Sequence, residues 1–219
     1  MEKSFNGKTV LLTAGPTYEP IDPVRFIGNH STGKMGFALA ECFAAHGARV
    51  QLVAGPTNMK ARHEGITVTP VTTADEMYAA VKQLAPAADI WVFAAAVADY
   101  KPKVVADRKI KKAGAELTIE LVKNVDIAAA LGKEKREDQF AVGFALETDN
   151  EDGNAREKLQ KKNLNMIVLN SLNDPGAGFK HDTNKITIIE RESTTAFELK
   201  QKSEVAQDIV NLIWDRLYA

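Results

Sequence analysis

The sequence predicts an α/β fold, a mostly parallel sheet with helices on both faces. Three observations carry that reading. Short apolar runs rich in β-branched residues recur between Thr9 and Asn170. Segments with a helical period alternate with them, as in successive β-α-β units. The runs are apolar at nearly every position, as strands covered on both faces must be.

Thr9–Thr13 (TVLLT) is the first such run, closed by the turn residues Ala14-Gly15-Pro16. Thr17 to Ser31 carries Pro20 and Pro23, has no helical period, and is expected to be irregular. A helix is predicted from Lys34 to His46, stopped by Gly47. Arg49–Ala54 reads as the next strand, ended by Gly55-Pro56. Thr67–Val71 and Ile90–Ala94 read as strands flanking a helix over Ala74–Leu84. Thr73 fits that helix's N-cap, and Glu76 stands at the capping-box position. Glu116–Val122 alternates and predicts a further strand, preceded by the lysines and glycine of Lys109–Gly114. Phe140–Ala145, a polar helix over Asn154–Lys162, and Met166–Asn170 continue the alternation. Lys185–Glu190 and Thr195–Leu199 suggest a hairpin, followed by an amphipathic helix to Tyr218. No internal repeat interrupts the pattern. The expectation is one domain over residues 1–219, Rossmann-like with antiparallel additions.

Composition narrows the function classes. With 45% hydrophobic and 26% charged residues, 219 residues can bury a continuous core without disulfides. The net charge of −1 offers no basic surface, so neither nucleic acid nor a membrane is an expected partner. Cys42 is the sole cysteine, which rules out an intramolecular disulfide. The beginning Met-Glu-Lys-Ser-Phe-Asn-Gly-Lys has no apolar signal core, and a cytoplasmic location is expected.

In an open α/β sheet ligands bind beyond the carboxyl ends of the strands, so the loops there hold the candidate chemistry. Gly28-Asn29-His30-Ser31-Thr32-Gly33-Lys34-Met35-Gly36 combines glycines with a helix start, a combination suited to an anion. Gly28, Gly33 and Lys34 imitate the phosphate loop G-x-x-x-x-G-K-S/T, but Met35 stands where a magnesium-binding hydroxyl is needed. No G-x-G-x-x-G follows the first strand, and Val53-Ala54-Gly55-Pro56 lacks a ribose-binding acid. An NAD(P)-dependent oxidoreductase is therefore the weaker reading, and a non-catalytic nucleotide-binding regulator is a third. The run Ala94-Ala95-Ala96-Val97-Ala98-Asp99-Tyr100 pairs small residues with one acid at a strand end. Lys109 lies near a glycine in an irregular stretch, where a lysine can close over a triphosphate; Lys111 and Lys112 read as solvated. Lys158 and Lys162 share a helix face. His30, His46, His63 and His181 have no metal-ligand spacing, and Cys42 reads as a buried, inert thiol.

Seven stretches then resemble one family in order: Thr13–Thr17 (TAGPT), Asp22–Ile27 (DPVRFI), Asn29–Gly36 (NHSTGKMG), Ala95–Tyr100 (AAVADY), Lys109–Lys112 (KIKK), Val122–Ile127 (VKNVDI) and Gly143–Thr148 (GFALET). The family is phosphopantothenoylcysteine synthetase, in many bacteria the C-terminal half of a bifunctional flavoprotein of coenzyme A biosynthesis. The resemblance implies a ligase that joins 4′-phosphopantothenate to L-cysteine through an acyl-cytidylate, using CTP with Mg²⁺ and releasing pyrophosphate and CMP. It implies a homodimer. It gives Asn29 to substrate binding and the acyl-cytidylate step, Ala95 and Ala96 to main-chain contacts with phosphopantothenate, and Arg25 to the neighbouring subunit's substrate. Asp99, Lys109, Val125, Asp126, Ile127, Ala128, Phe144, Lys158 and Lys162 match nucleotide contacts, Lys109 lying on a flexible lid. Gly28 and Thr32 replace common serines, and Val125 replaces a frequent proline. The flavin-containing half of the bifunctional form has no counterpart here, so FMN binding is not expected.

Overall fold

The structure is a computed structural model and describes residues 3–111, 114–147, 149–171 and 181–218. Lys112 and Thr148, singled out above, lie outside the described residues. From the N-terminus come β1 (Thr9–Ala14), a short antiparallel ribbon of β2 (Tyr18–Pro20) and β3 (Phe26–Gly28), and α1 (Lys34–Ala45). Next are β4 (Arg49–Ala54), β5 (Ile66–Pro70), α2 (Ala74–Leu84) and β6 (Ile90–Phe93). A second ribbon pairs β7 (Tyr100–Pro102) with β8 (Leu121–Lys123). Then follow α3 (Ile127–Gly132), β9 (Phe140–Glu147), α4 (Glu151–Lys161) and β10 (Met166–Ser171). The chain finishes with β11 (Thr183–Asn184), β12 (Thr187–Glu190), β13 (Thr194–Ala196), β14 (Lys200–Gln201) and α5 (Lys202–Tyr218).

The main sheet runs β13-β12-β10-β9-β6-β1-β4-β5. Its strands from β10 to β5 are parallel, and β12 and β13 add an antiparallel edge. Counted among the parallel strands alone, the order is 3-2-1-4-5-6, the Rossmann arrangement. Successive residues of each strand feed opposite layers. Val10, Leu12, Val50, Leu52, Ile90 and Val92 pack with α1 and α5, whereas Leu11, Val53, Trp91 and Ile167 pack with α2, α3 and α4. Every central strand thus contributes apolar side chains both ways, which is why these runs do not alternate.

Several local expectations need correction. The segment expected to be irregular after β1 contains the β2–β3 ribbon, whose two strands are only three residues each. The strand expected over Glu116–Val122 forms only at Leu121–Lys123, because β7 offers just three residues to pair with. α4 begins at Glu151, ahead of the expected Asn154, with Glu151 and Asp152 in the first turn where the helix dipole favours acids. α3 was not foreseen at all. The capping box on α2 forms as read, with Thr73 Oγ1 accepting from Glu76 N at 3.2 Å and Glu76 Oε2 accepting from Thr73 N at 3.2 Å.

Candidate active site

Two clefts open at the carboxyl edge of the sheet, where β1 and β6 lie side by side and their connections diverge. Gly15 takes a left-handed conformation (φ 79°), so the chain leaves β1 sharply and runs beside the segment after β6. Ala96 N donates to Gly15 O at 2.9 Å, Ala95 N to Thr13 Oγ1 at 3.2 Å and Ala98 N to Thr17 Oγ1 at 3.0 Å. Those bonds pin Ala95–Asp99 as a rigid wall. Small side chains there bring the backbone within reach of a ligand on either side.

The first cleft, about 480 Å³, lies between that wall, the start of α3 and the end of α4. Its lining includes Asp99, Val125, Asp126, Ile127, Ala128, Phe144, Lys158 and Lys162. Asn124 fastens the turn before α3 by donating from Nδ2 to Ala98 O (2.8 Å) and from N to Asp99 O (2.8 Å). Asp126 caps α3 through Ala129 N at 3.0 Å and also pairs with Lys162 at 2.9 Å. Lys158 pairs with Glu147, which also accepts from Asn154 Nδ2 at 3.1 Å. Both lysines are thus held over the cleft by carboxylates that an incoming polyanion can displace them from. Among the described residues, no group of three or more His, Cys, Asp or Glu is placed to hold a metal ion.

The second cleft, about 370 Å³, adjoins the first and shares Ala95, Val97, Asp99 and Phe144 with it. Asn29 lines it, its Nδ2 donating to Ala96 O at 2.9 Å. The other walls come from the start of α1 and from Asn170, Asn184 and Lys202. Lys34 pairs with Asp182 at 2.5 Å, and Lys202 donates to His181 O at 2.5 Å. Burial, and then the Lys34 charge, push the Lys202 ammonium below the usual lysine range. Asn184 is buried and donates to Asn170 Oδ1 at 2.8 Å, yet its own Oδ1 has no hydrogen-bond partner. Asn124 Oδ1 is orphaned in the same way. Buried acceptors without partners are rare and mark places where a ligand or local shift completes the bonding.

The structure therefore brings Asn29, Ala95 and Ala96 together in one cleft and eight of the nine expected nucleotide contacts, all but Lys109, in the other. Asp99 and Phe144 stand at the junction. Lys109 and Arg25 line neither cleft. Lys109 is exposed, and Arg25 pairs with Asp22 and donates to Ile110 O at 3.2 Å. Asn170, Asn184 and Lys202 escaped the sequence reading. A lysine opening a helix reads as a surface residue, and its burial follows only from where α5 docks. Cys42 is half-buried, its thiol pushed up to about 11 by burial, with Sγ donating to Gln207 Oε1 at 3.4 Å.

Comparison with known proteins places these features in context. Residues 5–217 match the family model described as the DNA/pantothenate metabolism flavoprotein C-terminal domain. The chain is 54% identical over 213 residues to a cysteine/cysteine sulfinic acid decarboxylase from an unknown prokaryotic organism, covering 97% of this chain and 59% of that protein. It is 45% identical to the coenzyme A biosynthesis bifunctional protein CoaBC of Haemophilus influenzae, covering 98% of this chain and 53% of that one. The chain thus spans little more than half the length of these curated relatives. A crystal structure of the C-terminal domain of a CoaBC protein superposes with a TM-score of 0.83 at 40% identity, covering 99% of this chain and 98% of that one. Among the described residues, no helix is long and apolar enough to cross a membrane.

Proposed function

The chain belongs to the DNA/pantothenate metabolism flavoprotein C-terminal domain family, and on that premise we propose that it is a phosphopantothenate–cysteine ligase of coenzyme A biosynthesis. One observation carries the reading: two clefts, one lined by three lysines and the other by two, meet across Ala95, Val97, Asp99 and Phe144. That arrangement suits two anionic ligands that must react with each other.

CTP occupies the first cleft, contacted by Asp99, Val125, Asp126, Ile127, Ala128 and Phe144, with Lys158 and Lys162 neutralising its phosphates. 4′-Phosphopantothenate occupies the second, its phosphate balanced by Lys34 and Lys202 and its carboxylate beside Asn29, Ala95 and Ala96. A carboxylate oxygen attacks the α-phosphorus, the bond to the bridging oxygen breaks, and pyrophosphate leaves. The amine of L-cysteine then attacks the acyl carbon; CMP departs with the bonding pair, and the amine gives its proton to solvent. Asn29 spends one Nδ2 hydrogen on Ala96 O and keeps the second for the acyl oxygen. Lys109 closes over the triphosphate as pyrophosphate leaves. Positioning and charge neutralisation supply the catalysis. Mg²⁺ enters with CTP as part of the substrate, since such ions are held mainly by phosphates and water with one or two carboxylates. Neither bond change moves a hydride or an electron, so the reaction asks nothing of FMN, and its use of CTP puts it in the cytoplasm.

The working unit in this reading is a homodimer. Val24 and Phe26, which flank Arg25 in the chain, and Val104, just after β7, are 60%, 51% and 78% exposed. Large apolar side chains gathered so openly suit a self-complementary interface with a second copy. Arg25 would then reach the partner's substrate.

Incubation with phosphopantothenate, cysteine, Mg²⁺ and CTP tests the reading, with pyrophosphate and the cysteine adduct expected in equal amounts. Omitting CTP abolishes both. A parallel incubation with cysteine or cysteine sulfinate addresses the activity named for the 54% identical relative. Carbon dioxide release without nucleotide, and no pyrophosphate in the first reaction, would overturn the ligase. kcat/KM is expected to favour CTP over ATP, because a mismatched base leaves buried polar groups unpaired; equal values rule out base reading.

A further inference from the structure

Asp22 is a buried carboxylate outside both clefts, its side chain fully inaccessible. Its Oδ1 accepts from Val24 N and Arg25 N, both at 2.9 Å. Its Oδ2 accepts from Arg25 Nε at 3.0 Å, from Arg25 Nη2, and from Ile110 N at 3.1 Å. Arg25 Nη2 also donates to Ile110 O at 3.2 Å. One ion pair therefore grips both polar groups of a single peptide residue, and that residue directly follows Lys109. Ala106 N donates to Ile21 O at 3.0 Å, so the chain carrying Lys109 is tied to the same turn on its other side.

The partners are not equally dependent. A carboxylate has about four acceptor sites, and donors from Val24 and Arg25 can fill them without help. Ile110 gives the only one of these bonds that comes from outside the turn. We propose that the Asp22–Arg25 ion pair is a two-point clamp on Ile110 that sets the reach of Lys109, with Asp22 as the positioning residue. When Arg25 turns toward an anionic ligand, the Ile110 carbonyl is released while its N–H stays on Asp22. The loop then pivots instead of detaching, and Arg25 engagement is coupled to Lys109 movement. This inference rests on the role given to Lys109 above.

Three measurements test it. In the unaltered chain, the Ile110 amide is expected to exchange its hydrogen at least about tenfold more slowly than the Lys109 and Lys111 amides, as one bond to a charged acceptor implies. Equal rates overturn the clamp, and this arm needs no variant that folds. In D22N, tryptic cleavage after Lys109 and Lys111 should quicken about tenfold, with cleavage elsewhere unchanged; unchanged lid cleavage, or a uniform rise at all sites, counts against it. Finally, D22N should lower kcat about tenfold with Lys109 present and by less than about twofold in a K109Q background, the non-additivity of residues acting as a unit. Equal losses in both backgrounds mean that Asp22 does not act through Lys109. If K109Q itself leaves kcat intact in an active ligase, the assigned role of that lysine fails, and the coupling to catalysis fails with it. Exchange and proteolysis still decide the clamp separately.

Discussion

Lys109 and Lys111 are both exposed, two positions apart, and indistinguishable by residue type. Both flank Ile110, the residue gripped by Asp22 and Arg25, so only the role proposed for Lys109 at the triphosphate separates them. Lys109→Gln is expected to lower kcat about a hundredfold with little change in KM, the usual loss for a group that stabilises transition-state charge. Lys111→Gln should stay within about twofold. Steady-state kinetics on both variants decides; equal small effects return the pair to a solvated surface role. Arg25 holds the Asp22 carboxyl well below the usual carboxylate range. A depressed carboxylate contributes stability above its unfolded pKa, about 4, and loses it as pH falls further. Lid protection should therefore be flat from about pH 6 to 9. Cys42 behaves oppositely, because burial raises its thiol to about 11. At pH 8 roughly a thousandth of it is thiolate, so alkylation of the folded chain should be far slower than after denaturation. Comparable rates in the two states would falsify its inert reading.

At the scale of elements, α1 shows how packing and the site depend on each other. Gly33 enters the helix with φ 79°, and a Cβ on Gly36 would lie 2.5 Å from Ala14 Cβ. The helix therefore presses directly on β1 and sets its first turn as the floor of the second cleft. Gly36→Ala must push α1 away from the sheet and should destabilise the chain by about 1–3 kcal/mol, read in a denaturant titration. The same shift should raise KM for phosphopantothenate more than for CTP, whose cleft α1 does not line. α1, the central strands and the α2 capping box were legible because their signals are local: apolar period, β-branching, a hydroxyl three residues before a glutamate. The β2–β3 ribbon and α3 were not. Three-residue strands show no period, and α3 is one turn and a half held by the Asp126 cap and the packing of Ile127 and Leu131.

The whole molecule has one expectation that no single chain can display. Arg25 is proposed to serve the partner's substrate, whereas within its own chain it meets Asp22 and Ile110. Arg25→Ala and Asn29→Ala are each expected to be nearly inactive. Unfolded and refolded together, they form mixed dimers in half of all pairs under random association. Each mixed dimer contains one site with intact Asn29 and intact Arg25, so about a quarter of all sites should recover. Absence of recovered activity, with mixed dimers demonstrated, assigns Arg25 to its own chain's site. The exposed Val24, Phe26 and Val104 give a second check. Val104→Asp should raise the dimer dissociation constant in sedimentation, while an unchanged value places the interface elsewhere.

By itself the sequence determined the class of fold, the order of the parallel strands' segments and the loops that carry chemistry, because each rests on contacts between near neighbours in the chain. It also placed Asn29, Ala95, Ala96 and Asp99 on those loops. Only the tertiary structure decided that Ala95–Asp99 is a wall between two clefts, since that depends on β1 and β6 lying side by side. It alone buried Lys202 and Asn184 at one end of the second cleft and joined Asp22 to Ile110, 88 positions away. Burial and long-range hydrogen bonding are properties of which surfaces meet, and a residue's type states what it can do without stating what it will face.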